Sequence, residues 1–259
     1  MRLLVLGDVF ARPGRAALRA RLAEIRRELS IDLCIANGEN LAGGTGLTRT
    51  TVREIFDAGV DVITGGNHTW DNKEILDFID EDPRILRPAN YPPGTPGRGS
   101  GVYQTPAGEK VAVLNLMGRV FMPTVDCPFR AADAAVSALR EETPCIVVDM
   151  HAEASSEKQA MGYHLDGRVS AVLGTHTHVP TADGTILDGG TAYQTDIGMT
   201  GAYDGVIGIR RDLALEKMIH KLPTKNQPAT GRVRLCAVLL HVDAATGRTL
   251  ASRFLQEDL

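Results

Sequence analysis

Apolar residues in this chain fall alternately into short continuous runs and into stripes at helical spacing, and each short run hands over to polar side chains. Leu3 to Leu6 is such a run, ending in Gly7-Asp8, and it reads as a buried strand. After a turn over Val9 to Gly14, Leu18, Leu22, Ile25 and Leu29 recur at helical spacing and predict an amphipathic helix over residues 15–29. Ile31 to Ala36 is a second strand and Val60 to Thr64 a third. The helix between them is capped by Thr48 or Thr50 and runs to Ala58. The order β-α-β-α-β is that of a parallel sheet.

The Pro- and Gly-rich passage from Pro83 to Gly101 reads as an irregular connection at which a second sheet begins. Gly101 to Thr105 and Lys110 to Leu116 predict a hairpin through Pro106 to Glu109. A helix over 131–141 precedes the strand Cys145 to Met150, which delivers His151. A further helix over 156–163 leads to the strand Val169 to Leu173, and from its far end come His176 and His178. Short strands are expected over 184–187 and 191–194, then a loop with a short helix within 212–230. Strands over 233–242 and 249–255, joined by the turn Asp243 to Gly247, close the chain.

Composition narrows the class. A length of 259 residues is compatible with one large α/β domain, taken here as 1–259. A net charge of -4 argues against a broad grip on duplex nucleic acid and leaves a small nucleotide as a partner. The first apolar run is too short for a signal peptide, and no segment approaches a membrane span, so no membrane partner is expected. Cys34, Cys127, Cys145 and Cys236 form no Cys-x-x-Cys pair, and three of them lie in apolar runs. They read as reduced thiols of a cytoplasmic protein.

The chemistry gathers at the strand ends, where open α/β sheets bind ligands. Those ends carry Asp8, Glu39, Asn40, Asn67, His68, His151, His176 and His178. On an extended chain His176 and His178 would point to the same side, a metal-ligand geometry, although that stretch alone reads equally as two surface loop histidines. Carboxylate, amide and imidazole together suit two ions such as manganese, iron or zinc, rather than a thiolate zinc site or an all-oxygen calcium site. In a dinuclear centre one carboxylate bridges ions held about 3.5 to 4 Å apart, and a bridging water becomes the nucleophile for attack on phosphorus. Glu39 is the expected bridge. His68, next to Asn67, is placed to protonate a leaving alkoxide, with a ligand role as the alternative. Asp71 can orient His68, but a cap for the following helix is the preferred reading. Gly43 to Gly46 can offer backbone N–H groups to a phosphate and Arg12 can clamp one, each weighed against a plain loop or surface role. Asp196 and Thr200 are expected only to line the cleft. His164, His220 and His241 have no partner at ligand spacing and read as structural or surface residues.

The ordered series Gly7-Asp8, Gly38-Glu39-Asn40, Gly66-Asn67-His68, His151 and Gly174-Thr175-His176-Thr177-His178 resembles the calcineurin-like metallophosphoesterases, in particular their YmdB-like bacterial branch. The resemblance implies an α/β fold, a four-layer αββα sandwich of two mixed sheets flanked by helices. It also implies hydrolysis of phosphate esters, including 2′,3′-cyclic nucleotides. It places Asp8, Glu39, Asn40 and His178 on one metal, Glu39, Asn67, His151 and His176 on the other, and His68 as general acid. Divalent or mixed-valence iron and manganese are the expected ions, with zinc as the alternative. The chain departs from the wider superfamily at Phe10, where that pattern has a histidine ligand, and at Glu39, where it has a bridging Asp.

The resulting expectation is a metal-dependent phosphodiesterase acting on a small phosphoester, a cyclic nucleotide or an RNA-related substrate, with a homo-oligomer left open. The competing expectation is a regulatory nucleotide- or RNA-binding protein using the same site with little turnover. A His-x-His amidohydrolase barrel is disfavoured, because the motif comes late and eight β-α units are not visible.

Overall fold

The protein is described by a computed structural model covering residues 1–259. Its first half contains β1 (Arg2–Leu6), β2 (Asp8–Val9), α1 (Ala11–Leu29), β3 (Leu33–Asn37), α2 (Arg49–Ala58), β4 (Val62–Thr64), β5 (Ser100–Gln104), β6 (Lys110–Met117) and α3 (Pro128–Arg140). Then follow β7 (Ile146–His151), α4 (Ser155–Leu165), β8 (Ala171–Thr175), β9 (Thr185–Ile186), β10 (Ala192–Gln194), β11 (Met199–Ala202), β12 (Gly205–Val206) and β13 (Ile209–Arg210). The last elements are α5 (Arg211–His220), β14 (Val233–Val242) and β15 (Thr249–Asp258).

One sheet runs β2-β11-β14-β1-β3-β4 with β15 on β14, and the other runs β5-β6-β7-β8-β10-β9. Both are mixed. The strands β1, β3 and β4 are parallel while β14 is antiparallel to β1. In the second sheet β6, β7, β8 and β10 are parallel and β5 is antiparallel to β6.

Strand alternation explains why the apolar runs are continuous. Leu3 and Val5 of β1, with Leu33 and Ile35 of β3, pack against Val113, Val147 and Leu173 of the other sheet. The intervening Leu4, Leu6 and Cys34 face Leu18, Leu22 and Ile25 of α1 and Val52 and Ile55 of α2. On the far side Leu114, Leu116, Ile146 and Val148 meet Val136 and Leu139 of α3 and Met161 and Leu165 of α4. A strand buried on both faces needs apolar residues at every position. Three apolar layers between four structural layers give the expected αββα sandwich.

Two boundaries differ from the sequence reading. Helix α1 begins at Ala11, so Arg12, Pro13 and Gly14 form its first turn rather than a preceding one. A proline there forfeits nothing, because the first N–H groups of a helix have no partner within it. Strand β8 lies two residues later than expected, at Ala171–Thr175, paired with β7 so that His151 stands level with Thr175. Thr48 caps α2 in a reciprocal capping box, as anticipated. All four cysteines are free, and no helix is long and apolar enough to cross a membrane.

Candidate metal centre

The C-terminal ends of β1, β3 and β4 in one sheet and of β7 and β8 in the other open onto one place. Asp8, Glu39, Asn40, His151 and His178 are buried there, and Asn67, His68 and His176 are half-buried. In one lobe His151 Nε2 lies 3.2 Å from Glu39 Oε1, 3.0 Å from Asn67 Oδ1 and 3.2 Å from His176 Nδ1. In the other, Asp8 Oδ1 lies 3.6 Å from His178 Nε2 and 3.5 Å from Asn40 Nδ2. Asn40 Nδ2 is also 3.2 Å from His178 Nε2 and 3.3 Å from Glu39 Oε1. Glu39 Oε1 therefore touches both lobes, and the seven expected ligand side chains are brought together.

The donor set fits a pair of cations. Asp8 and Glu39 are buried carboxylates whose only ionic partners are histidines, and a buried charge requires a counter-charge or a metal. Burial alone would lower the His151 pKa, yet the carboxylates of Glu39, Asp8 and Asp149 raise it to about 9. Burial likewise opposes ionisation of Asp8 and Glu39, but His178 holds the first carboxyl and His151 the second below the usual range. Burial and the nearby His151 depress His176 to about 4.

Each imidazole has its outward nitrogen committed elsewhere. Thr175 Oγ1 donates to Asp149 Oδ1 at 2.6 Å, so it accepts from His151 Nδ1 at 2.9 Å. His178 Nδ1 donates to the Ile207 carbonyl at 2.9 Å, and His176 Nε2 lies 3.1 Å from Glu153 Oε2. Such partners fix ring orientation and leave the inward nitrogen free to ligate. The three donors Glu39, His151 and His176 lie within 4.8 Å of one another.

The His176-Thr177-His178 stretch departs from the extended geometry expected of it. The strand ends at Thr175, and His176 and His178 have φ of 98° and 65°, both left-handed. The rings consequently diverge, His176 toward Glu39 and His151, His178 toward Asp8 and Asn40. Asp196 holds this turn by accepting from Thr177 N at 3.2 Å and Thr177 Oγ1 at 2.8 Å. The fully buried Lys158 supports Asp196 in turn, with Nζ 2.7 Å from its carboxylate.

A family model described as YmdB-like protein matches residues 4–254. The chain belongs to the YmdB-like family. It is 46% identical over 250 residues to the 2′,3′-cyclic-nucleotide 2′-phosphodiesterase of Bacillus subtilis (strain 168), covering 96% of this chain and 94% of that protein. A crystal structure of a hypothetical protein from Thermus thermophilus matches with a TM-score of 0.94 and 44% identity, covering 100% of this chain and 99% of that one. A crystal structure of a novel phosphatase from Mycoplasma pneumoniae matches at 0.93 and 31%, covering 100% and 93%.

In this YmdB-like chain Phe10, at the position where the wider superfamily pattern has a histidine, is buried with its ring edge-on to His178 at 5.4 Å between centroids. It packs against that imidazole and offers no ligand atom. His68 donates its backbone N–H to Glu39 Oε2 at 2.8 Å, and its Nδ1 lies 2.7 Å from Asp71 Oδ2. The preferred reading of Asp71 as a cap is corrected, because Asn72 caps the following 3-10 turn and Asp71 is left to orient His68.

The remaining expectations divide, with Asp196 and Thr200 corrected and the surface readings of Arg12 and His164 kept. Thr200 Oγ1 accepts from Cys236 N, which takes it out of the cleft, and Asp196 stands behind Thr177 rather than lining the cavity. In the Gly43 to Gly46 loop Gly46 O accepts from Ala42 N and Gly43 N donates to Leu41 O, and Arg12 is exposed. His164 pairs with Asp133 at the surface.

Sequence reasoning missed Asn37, Thr64, Asp149 and Thr175, a buried network behind His151. Asp149 accepts from Thr64 Oγ1, Thr175 Oγ1 and Asn37 Nδ2. Burial pushes its carboxyl pKa up. The available signal was a carboxylate inside the apolar strand Ile146–His151.

Gly66 packs directly on this cluster, since a Cβ there would lie 2.2 Å from His151 Nε2 and 2.4 Å from Glu39 Oε2. Gly66→Ala is expected to keep the fold by circular dichroism while lowering bound metal to less than half of wild type by elemental analysis. Undiminished metal content would show that these two side chains are not part of the binding site.

Proposed function

We propose that this chain is a metal-dependent phosphodiesterase that hydrolyses 2′,3′-cyclic nucleotides or closely related phosphodiesters. Asp8, Glu39, Asn40 and His178 would hold one ion, and Glu39, Asn67, His151 and His176 the second. The observation carrying this reading is the two-lobed cluster with Glu39 Oε1 between the lobes. The similarity to a Bacillus subtilis 2′,3′-cyclic-nucleotide 2′-phosphodiesterase supports the substrate class.

Bound there, the ions would supply Lewis-acid stabilisation of charge on the phosphoryl oxygens and an acidified water as nucleophile. The residues of the chain do the rest. Thr175, Ile207 and Glu153 hold three imidazoles with their inward nitrogens facing the site. His68 delivers a proton from Nε2 to the departing ribose oxygen, held in place by Asp71 at Nδ1 and by Glu39 at its backbone N–H. Iron or manganese suits the mixed oxygen and imidazole donors, and zinc is compatible with them.

Protein purified without chelators is expected to carry about two ions per chain. It should hydrolyse 2′,3′-cyclic nucleotides faster than phosphomonoesters, lose that activity on chelation and regain it with iron or manganese. A fully loaded protein that turns over no phosphodiester in a panel of cyclic and linear substrates would refute the reading.

A further inference from the structure

We propose that Phe121 is the surface on which the base of a nucleotide substrate stacks, an inference that rests on the phosphodiesterase reading of the adjoining site. Strand β6 runs parallel to β7, with Met117 level with His151, and Gly118 N donates to the His151 carbonyl at 2.9 Å. The chain thus leaves β6 beside the strand end that delivers His151. Phe121 follows three residues after Gly118, a reach of at most about 10 Å. It is the most exposed of the large hydrophobic side chains, at 88%.

Its backbone is left-handed, with φ of 61°, a conformation uncommon for a bulky side chain and maintained only where surrounding structure enforces it. Met122 N donates to the Arg119 carbonyl at 3.4 Å and closes a turn across Phe121. Glu157 of α4, itself buried, accepts from Arg119 N at 3.0 Å and from Val120 N at 3.2 Å, bracing the loop immediately before Phe121. An aromatic ring left bare on a strained, braced loop, three residues beyond the strand end that lies level with His151, has the character of a stacking platform. Stacking of this kind accepts any base, because every base has a π face.

The test compares wild type, Phe121→Ala and Phe121→Trp, matched for metal content, on a 2′,3′-cyclic nucleotide and on ribose 2′,3′-cyclic phosphate lacking a base. Phe121→Ala is expected to raise KM for the nucleotide about tenfold, with kcat and the KM of the base-free ester unchanged. Phe121→Trp should keep the wild-type KM. Unchanged nucleotide KM in Phe121→Ala, or an equal rise on both esters, would overturn the proposal. So would a change of oligomeric state in sedimentation velocity, since the ring would then belong to an interface between copies. If wild type turns over neither ester, the phosphodiesterase reading fails separately. Calorimetric binding of a 3′-nucleoside monophosphate against ribose 3-phosphate then still decides the role of Phe121, with equal affinities in wild type and Phe121→Ala counting against it.

Discussion

Glu39→Ala should reduce bound metal from about two ions per chain to fewer than one and lower phosphodiester turnover by at least about 10³-fold. Glu39 Oε1 is 3.2 Å from His151 Nε2 in one lobe and 3.3 Å from Asn40 Nδ2 in the other, so one truncation withdraws a donor from both. Oε2 simultaneously loses the His68 N–H, which frees the loop carrying the proposed acid. Removing a ligand private to one lobe has a narrower effect. His178→Ala should deplete the Asp8 lobe and leave the His151 lobe loaded. Elemental analysis beside activity distinguishes these outcomes, and two retained ions in Glu39→Ala would exclude a bridging role.

His68→Ala should have the opposite signature, with metal content retained and turnover of cyclic nucleotides down by about 10² to 10⁴-fold. The ring is half-buried and its Nδ1 is taken by Asp71, leaving Nε2 to meet a leaving group. A ribose alkoxide is a poor leaving group and needs that proton, whereas nitrophenolate does not. The loss should therefore shrink markedly on a nitrophenyl phosphodiester. An equal loss on both substrates would remove His68 from the acid role, and a parallel loss of metal would make it a ligand instead.

Much of this architecture was legible in the chain because strands buried on both faces, such as Leu3 to Leu6 and Ile146 to Val148, leave uninterrupted apolar runs. A polar residue directly after such a run is conspicuous, and the proposed ligands were found that way. Asn37, Thr64 and Asp149 escaped notice because each lies within or at the close of a run whose average character is apolar. Their partners come from other strands, and spacing along one strand carries no trace of them. Glu153 is an ordinary surface acid by sequence, and only the folded chain sets it against His176, whereas for Asp71 the folded chain favours the orienting role that the sequence offered second. The left-handed backbone at His176 and His178 was equally hidden, in a turn fastened through Thr177 by Asp196, a residue 18 positions beyond His178. At α1 the error was local. Pro13-Gly14 reads as a chain break unless the proline falls in the first turn, which is where it lies.

Glu157 and Lys158 are neighbours on α4, yet the first fastens the loop after β6 and the second, through Asp196, the turn after β8. Both segments take their position from one short stretch of helix, so a displacement of α4 would carry them in the same sense. Thermal excursions of that helix would then move the proposed base platform and the paired imidazoles in concert, and the spacing between them would vary less than the position of either.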